Sequence, residues 1–123
     1  MKITTIWPEV VGTLLIALIL GTGNFSDAAE LQEQVIKMTA KRFEYSPKEI
    51  TLKKGVPAVL EITALDRLHG FDCPDLQIRA DLLQGKVTII RFTPQKTGNF
   101  TFHCDIFCGD GHEDMSGTIN VTE

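Results

Sequence analysis

Basic residues and cysteines are both scarce in this chain. Twelve Lys and Arg stand against sixteen Asp and Glu, a formal charge of −4 over 123 residues. That balance excludes sequence-independent binding of DNA or RNA, which needs a basic footprint. Three cysteines are too few for a disulfide-dense scaffold, and an odd number cannot all pair within one chain. After residue 34 no long 3.6-residue period is present, nor an internal repeat, a low-complexity segment or a linker to a second domain. A catalytic triad, an acid–base pair and a phosphate-cradling loop are also missing, so nothing points to an enzyme. What remains is globular: 43% hydrophobic, 23% charged, with a length that suits a single core.

The first residues differ from the rest. The run from Val10 to Leu20 carries no charge, and Gly21 to Gly23 break it. It has the length of a secretory signal and is short for a bilayer span. Ser26 to Ala28 offer small residues for a signal peptidase. Residues 1–28 are therefore expected to be a signal peptide, with an uncleaved single membrane anchor as the other reading. Both put the folded part in the periplasm or otherwise outside the cytoplasm, where copper and disulfide chemistry are permitted. Cleavage takes the only Trp, Trp7, with it. Residues 29–34 read as a short mobile leader, and residues 35–123 as the domain.

That domain reads as about seven short strands. Val35–Phe43 alternates through Ile36, Met38 and Ala40. Ile50 and Leu52 form a second segment, Ala58, Leu60, Ile62 and Ala64 a third, and Leu76 with Ile78 a fourth. Val87–Phe92, Phe100 with Phe102, and Thr118–Val121 complete the set. Gly, Pro, Asp or Lys turns separate them. Short period-2 segments at this spacing predict an all-β, Greek-key β-sandwich.

The chemistry is concentrated in Cys104–Met115, CDIFCGDGHEDM. One inter-strand loop holds Cys104, Cys108, His112 and Met115, with Gly109 and Gly111 to let the backbone fold tightly. His69, about 35 residues upstream, offers a second imidazole from another loop. Thiolate and thioether ligands select copper, and imidazole suits it too. Two cysteines alone also read as a disulfide, and two Cys with two His as a closed zinc site. Zinc leaves the Met115 spacing without a reason.

The C-x3-C-x3-H-x2-M loop, with a His far upstream, resembles the binuclear copper-A site of cytochrome c oxidase subunit II and nitrous oxide reductase. His69–Gly70–Phe71 through Ala80–Asp81 resembles the first ligand loop. Phe92–Thr93–Pro94 through Gly98 resembles the strand and turn before the Cys loop. The resemblance covers about residues 35–123 and implies a cupredoxin fold. It implies that Cys104 and Cys108 bridge two copper ions, that His69 and His112 each terminate one, and that Met115 and the Ile106 backbone carbonyl are weak ligands. The family usually has Glu where Ile106 stands. It also has two membrane helices and a Trp-bearing aromatic patch, which this chain does not match. A stand-alone copper-A-like electron-transfer domain is expected, soluble or singly anchored. Its partner would be a redox protein such as a c-type cytochrome or an oxidase or reductase. The alternatives are a one-copper cupredoxin on His69, Cys104, His112 and Met115, and a copper-delivery protein.

Two potential ligands are left over. Cys73 reads as a small buried hydrophobe or as a neighbour of the site, and His103 as a residue on the opposite strand face from Cys104. Asp105, Asp110, Glu113 and Asp114 surround the ligands, and no Lys or Arg follows Lys96. That charge pattern reads either as an ordinary solvated loop or as an acidic rim that steers a basic partner or a copper cation.

Overall fold

A computed structural model describes residues 32–123. The signal or anchor reading, and the first half of the expected leader, lie outside the described residues. Alternation of apolar and polar side chains builds most of the strands. In β1 (Gln34–Lys41) Met38 and Ala40 turn inward, and in β3 (Glu49–Lys53) Ile50 and Leu52 do so. β4 (Ala58–Ala64) buries Ala58, Leu60, Ile62 and Ala64 along one face. β7 (Val87–Phe92), β8 (Gly98–His103) and β9 (Ser116–Thr122) follow the expected segments.

The described strands number nine, against the seven expected. β2 (Glu44–Ser46) is three residues long and forms only by pairing back onto Thr39–Lys41 of β1. β5 (His69–Cys73) carries Gly70 and Asp72, which are poor strand formers, and owes its place to β6 on one side and β8 on the other. The expected Leu76–Ile78 segment is divided. Pro74–Leu76 is a 3₁₀ turn, Gln77 has a left-handed backbone with φ 57°, and β6 (Ile78–Leu82) starts after it. β1 begins at Gln34, inside the expected leader. The Gln34 amide donates to the carbonyls of Lys53 at 2.9 Å and Val56 at 3.0 Å, which ties it to the β3–β4 turn.

The strands form two sheets, β2-β1-β4-β7 and β3-β9-β8-β5-β6. β1 runs parallel to β4, and β3 parallel to β9; the other long pairings are antiparallel. The sheets enclose one core. Met38, Leu60 and Ile62 come from the first, and Leu52, Phe71, Phe102 and Ile119 from the second. Full burial of each such side chain contributes roughly 1.5–3 kcal/mol. Tyr45, Phe71 and Phe102 interlock, with edge contacts of 6.0 and 4.9 Å from Tyr45 and a stacked Phe71–Phe102 pair at 4.7 Å. Among the described residues no helix is long and apolar enough to cross a membrane.

One end of the five-stranded sheet carries the residues of interest. β5 opens with His69, β8 ends one residue before Cys104, and β9 begins one residue after Met115. The Cys104 N–H donates to the Met115 carbonyl at 3.0 Å, so the β8–β9 ladder runs to the mouth of the loop.

Candidate metal centre

Cys104 and Cys108 are both buried, with their sulfurs 3.9 Å apart. A disulfide bond is about 2.05 Å long, so these are two free thiols. His69 is fully buried, and one of its ring nitrogens lies within 4.8 Å of both sulfurs. The other residues of the loop are reached through the sulfurs. His112 Nδ1 is 3.5 Å from Cys108 Sγ, and the Sδ of the buried Met115 is 3.8 Å from it. Cys104 Sγ donates to the Ile106 carbonyl at 3.1 Å and accepts the Gly70 N–H at 3.3 Å. All six residues singled out in the sequence thus meet in one cluster centred on two sulfurs. Cys73 does not join it. It lies four residues along β5 from His69, buried in the core, where burial pushes its thiol pKa up. His103 faces Asp72, 3.5 Å away, on the outer side of the sheet.

The His69 ring shows which donor is free. Its Nε2 is 2.7 Å from Asp66 Oδ1. Burial alone would raise the Asp66 pKa, but hydrogen bonds from the Arg42 backbone and from His69 outweigh it and hold the carboxyl below its usual range. An ionised carboxylate only accepts, so Nε2 carries a hydrogen, and in the neutral ring Nδ1 then keeps its lone pair. That Nδ1 is buried and has no hydrogen-bond partner. An orphaned imidazole nitrogen beside two thiols and a thioether is a donor set for a soft or borderline metal ion. Burial, then the proximity of Cys104, push the Cys108 thiol pKa up. Metal binding must therefore displace its proton.

Local backbone explains the loop. Gly109 and Gly111 have φ of 130° and 104°, which disfavours any side chain there. The Phe43 ring covers both, and a Cβ on Gly111 would sit 3.0 Å from it.

Four functional neighbours escaped the sequence reading. Asp66 orients His69. Arg42 Nε and Arg67 Nη1 both donate to the Cys108 carbonyl, at 3.1 and 2.9 Å. Arg79 grips Asp105 with two bonds, Nε at 2.8 Å and Nη2 at 3.0 Å, and that guanidinium holds the Asp105 carboxyl below its usual pKa. Only Asp66 had a local signal, its spacing of three from His69. The arginines arrive from 26 to 66 residues away. The loop's surroundings are accordingly less acidic than its own sequence suggests.

A family model described as "Cupredoxin-like domain" matches residues 13–121. The chain is 34% identical over 91 residues to a cytochrome c oxidase subunit 2 of Thermus thermophilus, covering 74% of this chain and 67% of that one. Against the subunit 2 of another strain of that organism the coverage is 54%, so the chain spans between about half and two thirds of these relatives. The fold is similar to the periplasmic domain of cytochrome oxidase subunit II of Bradyrhizobium japonicum, with TM-score 0.66 and 22% identity over 73% of this chain and 84% of that one. It is also similar to the metal-binding domain, with Cu(I), of the Cu(I)-exporting P-type ATPase of Streptococcus pneumoniae. That likeness has TM-score 0.62 and 26% identity, and covers 74% and 87% of the two chains.

Proposed function

Since the chain belongs to the cupredoxin-like domain family, we propose that it is a copper-binding electron-transfer module with a binuclear, copper-A-type centre that works outside the cytoplasm. The observation that carries this reading is the orphaned Nδ1 of His69 facing two free thiols 3.9 Å apart. Cys104 and Cys108 would bridge the ions, with His69 and His112 as terminal ligands, and Met115 and the Ile106 carbonyl as weak ones. A thiolate-bridged copper pair held there would supply one-electron transfer, with the electron shared between the ions so that each bond would change only slightly.

This chain's own part is to hold its donors still. Cys104, Met115 and His69 hang from the ends of β8, β9 and β5. Tyr45 Oη donates to the Gly70 carbonyl at 2.6 Å, and the Gly70 N–H in turn donates to Cys104 Sγ. Asp66 fixes the His69 ring. A preorganised set of donors pays little reorganisation when charge arrives or leaves. The partner is then a redox protein, either a c-type cytochrome or an oxidase or reductase.

The likeness to a Cu(I)-carrying domain supports a second reading, in which one Cu(I) is held for delivery. Copper per chain and the electron paramagnetic resonance spectrum of the loaded protein separate the two. Two coppers and more hyperfine lines than one nucleus gives support the binuclear reading. One copper with a single intense thiolate band supports a mononuclear cupredoxin. One Cu(I), passed readily to a chelator, supports delivery.

A further inference from the structure

Arg42 and Arg67 come from different turns, β1–β2 and β4–β5, yet both end on the carbonyl of one proposed ligand, Cys108. Among the described residues, neither guanidinium is paired with a carboxylate. Asp66 takes the backbone N–H of Arg42, not its side chain. Arg67 Nε is buried and has no partner. Arg79 is the contrast, because its charge is spent on Asp105 and Asp81. Two guanidinium charges held by no carboxylate therefore end on the metal loop, with the ionised Asp66 as a neighbouring negative charge that acts on Cys108 against them.

We propose that Arg42 and Arg67 form a cationic clamp on the Cys108 carbonyl that raises the reduction potential of the centre, with Arg67 carrying the larger share. The inference rests on the copper reading above. A fixed positive charge stabilises the form that holds the extra electron, so the clamp favours the reduced centre. The exposed Arg42 is screened by water and salt, whereas the half-buried Arg67 is screened less. These two are positioning residues, since they act through Cys108. The acidic loop sequence alone implies the opposite sign, a centre biased towards oxidation.

The test is a potentiometric titration of the copper-loaded full chain with one-electron mediators, comparing Arg67→Gln, Arg67→Lys and Arg42→Gln with the parent. Arg67→Gln is expected to lower the electron-uptake constant about tenfold, which is about 59 mV for a one-electron couple. Arg67→Lys should recover more than half of that loss, and Arg42→Gln should shift the constant less, in the same direction. The 13C shift of the Cys108 carbonyl in metal-free protein reports the clamp without copper, and it should move in both Gln variants. A carbonyl shift that moves while the potential stays fixed overturns the proposal and leaves the arginines as loop staples. Should Arg67→Gln not fold, Arg42→Gln decides by the same criterion. A parent that takes up no copper overturns the copper reading itself, an outcome seen before any variant is compared.

Discussion

Asp66 holds the Nε2 of His69 at 2.7 Å, and the opposite ring nitrogen is left buried with no partner. One short contact thus sets both the tautomer and the direction of the free lone pair. In Asp66→Ala the ring loses its orienter. Copper affinity is expected to fall 10- to 100-fold, the usual range for such outer partners, as measured by competition with a chelator. The substitution also leaves Nε2 of the buried His69 without a partner, so denaturant stability should fall by about 1–3 kcal/mol.

Met115 fills the core and touches Cys108 Sγ at 3.8 Å. Met115→Leu nearly conserves volume and should cost less than about 1.5 kcal/mol in urea unfolding. Copper should be retained while the potential moves, because a weak axial thioether tunes a copper site more than it holds it. Loss of all copper would assign Met115 a principal ligand role.

Cys73 is buried in the core and absent from the cluster of donors. Cys73→Ala should leave copper content and the thiolate absorption unchanged and cost about 1 kcal/mol of stability. A displaced thiolate band would show that Cys73 reaches the metal.

Gly117 in β9 has no space for a side chain. A Cβ there would collide with the Phe102 ring and the Lys48 carbonyl, which is backbone and cannot swing aside. Gly117→Ala should therefore destabilise the fold by about 1–3 kcal/mol, read as a lower urea midpoint at unchanged slope.

Asp110, Glu113 and Asp114 are exposed on the metal loop, whereas Asp105 is held by Arg79. If the three free acids steer a basic partner, association should slow as salt rises, since the Debye length shrinks from ~30 Å at 0.01 M to ~8 Å at 0.15 M. Neutralising them together should flatten that dependence in stopped-flow electron transfer with a basic cytochrome. A rate indifferent to both salt and substitution removes the steering role.

Strands with strong alternation were legible in the sequence. Ala58 to Ala64, and Ile50 with Leu52, mark β4 and β3 because each inward side chain is apolar and each outward one, Val59 apart, is polar. β2 and β5 were not legible. Glu44–Ser46 and His69–Cys73 have little intrinsic strand preference, and their neighbours in the sheet impose the conformation. The spacing of Cys104, Cys108, His112 and Met115 pointed to one loop, where the structure gathers them. The charges around that loop were hidden for a different reason. Arg42, Arg67 and Arg79 come close only through folding, and a local stretch of sequence holds no trace of such long-range approach.

The position of β9 in its sheet has a consequence for how this protein matures. β9 lies between β3 and β8, so it pairs residue 49 with residue 118 across most of the domain. Closing so long a chain segment is entropically costly and comes late in folding. The Cys104–Met115 loop is anchored on one side by that strand. During folding, the two thiols therefore stay unarranged until β9 has inserted. Were the loop to take metal as proposed, topology would have the scaffold completed before loading.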